Sequence, residues 1–145
     1  MNIDDQITKL QNLSTEYRKA RNIIGEEIWH IAYTSIIQIM YDCGIEGISW
    51  QQYTPYFMDG EACHFGVYFD EYTSYVQFSP NSGWYNYDDD EYHNFISPVI
   101  KKGLDSIYRI LDKIPNEVFE YQFGDHVDVF ITKSQAARTE TCDHD

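Results

Sequence analysis

The apolar positions of the first forty residues recur every three or four residues, which predicts a long helix. No proline interrupts the chain from Ile3 to Cys43, and Gly44 supplies a stop signal. The pattern fits one helix, or two helices joined near Gly25. The apolar positions that recur are Ile3, Ile7, Leu10, Leu13, Tyr17, Ala20, Ile24, Ile28 and Ile31.

The two halves of this predicted helix differ in their apolar faces. The first half carries a narrow stripe, whereas several faces are apolar from Ile28 to Tyr41, which is typical of a segment buried on more than one side. The narrow stripe either lies on the protein's own sheet, which is the expected arrangement, or projects and pairs with another chain as a homodimer. Ser14, Arg21 and Ser35 interrupt a strict heptad, so a long coiled coil is not expected.

After Gly44 the apolar residues alternate, which predicts an antiparallel meander in a sheet of three to four strands. The short turn-forming sequences Asp-Gly, Asp-Glu and Pro-Asn-Ser-Gly separate its strands or end the meander. The predicted strands are Ile48–Tyr53, Ala62–Phe69 and Tyr75–Phe78, with turns at Met58–Gly60 and Asp70–Glu71 and an end at Pro80–Gly83. A solvent-exposed (wet) loop is predicted at Trp84–Tyr87.

A second amphipathic helix is predicted from Tyr92 to Ile114, with Pro98 near its first turn and Pro115 at its end. A short turn and a final strand follow, which gives an α+β fold in the order α-β-β-β-α-β. The turn is Val118–Phe123 and the strand is His126–Thr132. We expect residues 1–133 to form a single domain and residues 134–145 a disordered tail.

The distribution of charge along the chain says more about its possible partners than the overall composition does. The net charge is −14, and the chain has no Lys or Arg between Asn22 and Ile100. Twelve acids lie in that stretch, so the rest of the chain contributes only −2. They are Glu26, Glu27, Asp42, Glu46, Asp59, Glu61, Asp70, Glu71, Asp88, Asp89, Asp90 and Glu91. Such a segment repels nucleic acid and attracts a basic protein surface, although solubility alone is an alternative reason for it.

The run Asp88–Glu91 precedes the second predicted helix, where acids cap free amides and suit the helix dipole. Capping accounts for one or two of the four. A calcium loop is the alternative, but the alternating acids, central Gly and distal Glu of such a loop are missing. We therefore predict no metal site here.

Nothing in the sequence favours catalysis or a cofactor. The three cysteines, Cys43, Cys63 and Cys142, have no CxxC spacing and are interpreted as reduced thiols, and the five histidines lack paired metal-ligand spacing. Cys63 and His64 are adjacent on a predicted strand and point to opposite faces. Cys142 and His144 are a weak metal-binding alternative in the tail. No glycine-rich nucleotide loop or nucleophile motif occurs, so we expect a protein that is not an enzyme.

The segment Trp50–Phe65 combines a strand, a proline-fixed corner and an Asp-Gly turn with exposed aromatic candidates. It resembles a segment of small uncharacterised bacteriophage proteins, of the form W-x-Q-Y-T-P-Y-F-x-D-G-x-x-C-x-F after a long helix. That resemblance covers about 16 residues and implies a phage origin without implying an activity. The segment is an aromatic-braced hairpin, or it is also a contact patch beside Asp59 and Glu61.

The resulting hypothesis is an acidic phage-type inhibitor of a basic host protein, such as a nucleic-acid-handling defence component, that acts by imitating a polyanion. The predicted partner-binding residues are Tyr53, Tyr56, Phe57, Asp59, Glu61, Asp70, Glu71, Trp84, Tyr85, Tyr87, Asp88, Asp89, Asp90 and Glu91. An immunity or antitoxin-like protein is one alternative, and a sponge or degrading enzyme for a small nucleotide signal is another. The absence of a signal peptide and of a long apolar run predicts the host cytoplasm and no membrane span. The negative charge predicts no direct binding of nucleic acid.

Overall fold

A computed structural model describes residues 2–56 and 63–142 of the chain. These residues form an α+β fold with a long N-terminal helix, an antiparallel sheet, further helices and a C-terminal strand region. The predicted fold class is confirmed. The predicted turn at Met58–Gly60 and the first residue of the predicted second strand, Ala62, lie outside the described residues.

The first helix is continuous, so of the two predicted alternatives the single helix is confirmed. α1 spans Ile3–Cys43, and its N-cap residue Asn2 accepts a hydrogen bond from the amide of Asp4 at 2.9 Å. The helix ends where Gly44 adopts φ 85°, and the Gly44 amide donates to the carbonyl of Met40 at 3.0 Å. A left-handed residue at this position satisfies a free carbonyl, and only glycine adopts it without strain.

The first half of α1 does not lie on the sheet, so the expected arrangement of the narrow stripe was wrong. Every residue from Asn2 to Arg21 is exposed, whereas Trp29, Ala32, Ile36 and Met40 are buried in the second half. The amino-terminal half of α1 is therefore an arm that extends from the rest of the protein. At about 1.5 Å per residue, this arm is roughly 30 Å long.

Six described strands form one sheet, in the order β4-β3-β1-β5-β6 with β2 also paired to β1. Their bounds are β1 Gly47–Tyr53, β2 Gly66–Tyr68, β3 Val76–Gln77, β4 Trp84–Tyr85, β5 Val127–Thr132 and β6 Arg138–Thr141. The predicted meander was wrong, because β2 and β3 both pair with β1 instead of with each other. β2 pairs with the second half of β1 and β3 with its first half, while β5 pairs along the other edge of β1.

The predicted second helix is divided into two. α2 spans Asp90–Phe95 and α3 spans Pro98–Asp112. Pro98 is at the start of α3, where its missing amide is harmless, and it disfavours helical geometry at the residue before it. Ser97 is extended at φ −127° and ψ 165°, and its hydroxyl accepts from the amide of Ile100 at 3.2 Å. The predicted turn at Val118–Phe123 is a further helix, α4, Asn116–Phe123.

The core lies between the helices and one face of the sheet. Trp50 of β1 is fully buried, and its ring centroid lies 6.3 Å from Trp29 of α1 and 5.8 Å from Phe119 of α4. Leu104 and Ile107 of α3 belong to the same cluster. Ile48, Trp50 and Gln52 of β1 supply this face, and Gly47 and Ser49 on the other face are buried as well. The strand predicted at Ile48–Tyr53 is confirmed.

One polar side chain is fully buried in this core. Gln52 donates from Nε2 to the carbonyls of Phe119, at 3.0 Å, and Gly124, at 2.7 Å. Its Oε1 accepts from Nε1 of Trp50 at 3.0 Å. These bonds join the central strand to the middle of α4 and to Gly124, the residue that follows it, and they satisfy groups that burial removes from water.

The predicted disordered tail needs correction as far as Cys142. β6 pairs with β5 from Arg138 to Thr141, and the amide of Cys142 donates to the carbonyl of His126 at 2.8 Å. The four β6 residues are exposed and so show no apolar alternation, which is why the pattern gave no strand signal. Their backbone hydrogen bonds extend the sheet edge. Residues 143–145, including His144, lie outside the described part of the chain.

None of the helices that the structure describes combines the length and hydropathy that crossing a bilayer requires.

We expect Gln52→Leu to lower the free energy of unfolding by about 2–4 kcal/mol, because two buried partners, Trp50 and Phe119, and the partly buried Gly124 lose their hydrogen bonds. Urea unfolding followed by tryptophan fluorescence measures the loss. Gln51→Leu is the matched control, since Gln51 is the neighbouring residue on the opposite face and is only partly buried. Equal losses for the two variants would contradict a structural role for the Gln52 bonds.

Candidate partner-binding surface

Two turns at the edge of the sheet bring acids and tyrosines together. The first turn follows β2, where the carboxylate of Asp70 accepts from the amides of Tyr72, at 2.8 Å, and Thr73, at 2.9 Å. The Thr73 hydroxyl also donates to it at 3.1 Å. An aspartate that binds the amides two and three residues ahead fixes a tight turn. The predicted turn at Asp70–Glu71 is confirmed.

The second turn follows β4 and is built around Asn86. The amide of Asn86 donates to Oδ2 of Asp89 at 2.8 Å, and its side-chain oxygen accepts from the amide of Asp88 at 3.1 Å. Asn86 is 9% exposed. Buried polar side chains of this kind are fixed by their hydrogen bonds, so the position of Asp88 is set by the turn.

Hydrogen bonds join the two turns directly. The side-chain amide of Asn86 donates to the carbonyl of Tyr72 at 2.9 Å, and the amide of Tyr87 donates to the carbonyl of Glu71 at 2.9 Å. Because a donor from the second turn bonds each of two consecutive carbonyls of the first, the acids of both turns are held at one place.

The two tyrosines of these turns lie against each other. The ring centroids of Tyr72 and Tyr87 are 4.9 Å apart, and the rings are 54% and 37% exposed. His93 of α2 packs edge-on against Tyr87 at 4.7 Å and bonds its carbonyl through Nε2 at 2.7 Å. We call the set Asp70, Glu71, Tyr72, Tyr87 and Asp88 the acidic tyrosine surface.

The negative charge of this surface acts on the tyrosine hydroxyls. Desolvation raises the pKa of Tyr72, and the carboxylates of Glu71, Asp88 and Asp70 raise it further. Burial raises the pKa of Tyr92, to which Glu71 and Asp105 add. The pKa of Tyr108 is strongly raised for the same reasons, burial first. These phenols therefore stay neutral near pH 7 and keep a hydroxyl proton.

No base neutralises the acidic tyrosine surface within the part of the chain that the structure describes. The ion pairs found there join Lys101 to Asp105 and Arg138 to Glu140, and the His126 ring lies 3.8 Å from the carboxylate of Asp125. Asp70 and Asp88 are exposed and Glu71 is half-buried. Their charges are available to a cation from outside the chain, which is favoured at low ionic strength.

The acid run Asp88–Glu91 has several roles. Asp89 is the N-cap residue of α2, but its carboxylate binds the Asn86 amide instead of an amide of the helix, so the predicted side-chain capping needs correction. Asp90 and Glu91 stand exposed in the first turn of α2, where the helix dipole stabilises them. Three of the four acids thus face solvent next to Tyr87.

Tyr53 and Tyr56, also predicted as contact residues, pack at the carboxyl end of β1. Tyr53 stacks on Tyr68 with ring centroids 4.6 Å apart, and Tyr56 stacks on His126 at the same distance. Tyr56 remains 59% exposed. This aromatic group is a separate feature from the acidic tyrosine surface in the described structure.

Trp84 and Tyr85 do not form the predicted wet loop, because they are β4 of the sheet. Trp84 packs edge-on against Phe130 at 5.2 Å. It also covers Gly47, where an added Cβ would come within 2.6 Å of the indole ring. Both residues are half-buried and act mainly in sheet packing.

The structure thus brings Asp70, Glu71 and Tyr87 together with the acid run Asp88–Glu91. Three other predicted contact residues, Phe57, Asp59 and Glu61, lie outside the described residues.

Sequence reasoning missed two residues that build the surface, Tyr72 and Asn86. The Asp-x-x-Thr word at Asp70–Thr73 is a usable signal for the first turn, since it matches the hydrogen-bonding pattern of an Asp turn. No local pattern predicts that Asn86 reaches across to the carbonyl of Tyr72. That contact depends on how β1 aligns β3 and β4.

The side chains that this surface exposes are carboxylates and phenols. Carboxylates and phenols accept hydrogen bonds from ammonium and guanidinium groups, and carboxylates bind guanidinium in bidentate fashion. Among residues 2–56 and 63–142, no group of three or more His, Cys, Asp or Glu side chains is arranged to hold a metal ion.

Comparisons with protein-family models, curated proteins and solved structures find no significant match for this chain.

A pH effect is expected at the carboxyl end of β1, where Asp125 accepts from the amide and the hydroxyl of Thr54, each at 2.7 Å. Partial burial acts to raise the pKa of Asp125, but the bonds from Thr54 and His126 outweigh it, and the pKa is lowered from 3.8. The carboxylate therefore stabilises the fold above about pH 4 and loses this effect as the pH falls through the lowered pKa.

We expect Asp125→Asn to lower the free energy of unfolding at pH 7 by about 1 kcal/mol, a value discounted for the partial exposure of the carboxylate. The difference from the unsubstituted protein should be smaller at an acidic pH below the lowered pKa. Urea unfolding at both pH values measures it, with exposed Asp112→Asn as the control. A difference that grows on acidification would contradict the lowered pKa.

Proposed function

We propose that this chain is an acidic binding protein that inhibits a basic host protein by occupying the site where that protein holds a polyanion. The observation that carries the proposal is the acidic tyrosine surface, whose acids have no basic partner among the described residues. A nucleic-acid-handling component of a defence system is the class of partner that fits. Catalysis, a cofactor and direct nucleic-acid binding are not part of the proposal.

Rigidity supports this reading of the surface. Asp70 is held by three hydrogen bonds within its own turn, and the two turns are joined through Asn86 and the Tyr87 amide. A charge that is already positioned needs less ordering when a partner binds, so more of its attraction appears as affinity. Mobile surface acids kept for solubility need no such bonds.

The tyrosines supply what charge alone does not. Exposed Tyr72 and Tyr87 offer ring area for packing and neutral hydroxyls for hydrogen bonds. Tyrosine is enriched in protein interfaces, whereas isolated acids mainly speed association and select the partner. A surface with both is suited to a basic protein groove that normally takes a phosphate backbone with stacked bases.

The long-range field supports the same partner class. The stretch from Asn22 to Ile100 carries twelve acids and no Lys or Arg. Its field repels nucleic acid and draws a basic surface towards the protein.

We also propose a bacteriophage origin, which the segment Trp50–Phe65 supports, and action in the host cytoplasm. We also propose a homodimer through α1, supported by the exposed apolar stripe of its arm.

A pull-down from bacterial lysate at low and high salt tests the proposal. We expect the protein to capture a basic nucleic-acid-binding protein at low salt and to lose it near 1 M salt, where the screening length falls to about 3 Å. The double variant Glu71→Lys with Asp88→Lys should bind the purified partner roughly 10- to 100-fold more weakly. Asp70 is left unchanged because its carboxylate holds the turn.

The matched control is Glu26→Lys with Glu27→Lys, which changes the net charge equally at exposed positions of α1. It should bind within about threefold of the unsubstituted protein. Equal weakening by both double variants would mean that only net charge matters. Unchanged binding by both would contradict polyanion imitation, and salt-resistant capture of a single toxin would favour the immunity-protein alternative.

A further inference from the structure

The arm of α1 exposes a row of apolar side chains that its own chain leaves uncovered. The exposed fractions are 70% for Ile3, 48% for Ile7, 63% for Leu10 and 67% for Tyr17. On a helix these positions share a face with Ile24 and Ile28. Further along α1 the same face turns into the core through Ala32 and Ile36. A single apolar face is thus covered at one end of α1 and open at the other.

A groove lies at the base of this arm, between α1 and α4. Its volume is about 770 Å³, and mainly apolar side chains line it. They include Tyr17, Ile24, Gly25, Ile28, Val118 and Tyr121. Gly25 is buried, and a Cβ there would lie 3.6 Å from Val118, so α4 comes close to the helix at this point. The groove is in line with the row of exposed side chains.

We infer that a second copy of this chain covers the arm, and that the two arms pair antiparallel so that the first turns of each arm fill the groove of the other. This geometry rests on the homodimer proposed for α1 and is independent of the basic partner. With a two-fold axis near Ser14, Leu10 of one copy lies level with Tyr17 of the other, and Ile3 lies level with Ile24. The arm thus brings its apolar ends to the groove.

The charges favour this orientation over a parallel one. The stretch Asn22–Ile100 carries twelve acids and no Lys or Arg, so a parallel pair would place two strongly negative regions side by side. An antiparallel pair separates them by about the length of the arm, roughly 30 Å, well beyond the screening length of about 8 Å in physiological salt. It also puts Asp4 and Asp5 of one copy within one helical turn of Arg21 of the other.

The area is sufficient for a stable pair. Each copy contributes six large exposed apolar side chains on this face: Ile3, Ile7, Leu10, Leu13, Tyr17 and Ile24. Covering them on both copies buries on the order of 1,000 Å² of apolar surface. With their polar neighbours, this reaches the roughly 1,200–2,000 Å² that specific interfaces bury.

Light scattering of the full chain during size-exclusion chromatography tests the pairing. We expect twice the chain mass of 17.1 kDa, and a shift to the single-chain mass for Leu10→Glu with at least a tenfold weaker association. Asn12→Glu adds the same charge on the opposite side of the arm and should stay dimeric. Both residues are exposed, so neither change should alter the melting temperature of the isolated chain. A monomeric unsubstituted protein, or a Leu10→Glu dimer, overturns the inference.

Introduced cysteines test the orientation, and each variant is compared with the unsubstituted protein, whose own free cysteines are Cys43, Cys63 and Cys142. Ser14→Cys should form an intermolecular disulfide under mild oxidation, because the two positions meet at the two-fold axis. Ile7→Cys should not, since its two copies lie about 20 Å apart along the helices and a disulfide needs Cα atoms within about 7 Å. Efficient cross-linking of both variants would show a parallel pair and overturn the orientation. The salt-dependent pull-down with Leu10→Glu reports separately on the acidic tyrosine surface.

Discussion

The rest of this fold depends on β1 being paired along both edges while one of its faces is buried. Ile48, Trp50 and Gln52 are at most 1% exposed, and α1, α3 and α4 all contribute to the cluster around them. Because β5 occupies one edge, β2 and β3 share the other. The chain between β2 and β3 must therefore turn sharply at the edge of the sheet, and that turn carries Asp70 and Glu71.

Charge explains how this turn relates to the next one. A stretch without Lys or Arg cannot relieve repulsion between its acids with ion pairs. In the described structure, neutral donors do this locally: backbone amides and a threonine hydroxyl bind Asp70, and the amide of Asn86 binds Asp89. These bonds fix the acids without cancelling their charge. Because hydrogen bonds hold these acids without neutralising them, the two turns keep a negative electrostatic field that extends beyond the turns.

Sequence patterns predict the parts of this architecture that depend on local geometry. The length of α1, its stop at Gly44, the strand at β1 and the Asp70 turn all follow from periodicity or from residues with special backbone preferences. The order of strands does not, because alternation in β2 and β3 says nothing about which edge of β1 each one takes. Trp84 and Tyr85 have the polar neighbours of a loop, and only pairing with Val76 and Gln77 makes them a strand.

The acidic tyrosine surface likewise combines features that the sequence predicts with features that depend on the tertiary structure. The acids were found from charge alone, but their grouping depends on Asn86, whose contact with Tyr72 crosses between two turns. Tyr53 and Tyr56 share the composition of the surface and still belong to another end of β1. The apolar stripe of α1 could not show whether the arm is exposed, since the same pattern fits a helix that lies on a sheet. Which surface covers an apolar face is a property of the tertiary structure.

The most direct test of whether a basic partner binds at the acidic tyrosine surface is to map where a basic ligand binds. A short oligolysine peptide is titrated into isotopically labelled full-length protein at low salt, and backbone amide shifts are followed by NMR. We expect the largest shifts to cluster at Glu71–Thr73 and Asn86–Asp88 and to vanish at high salt. Shifts spread evenly over all the acids, or concentrated at Glu26 and Glu27 of α1, would contradict it.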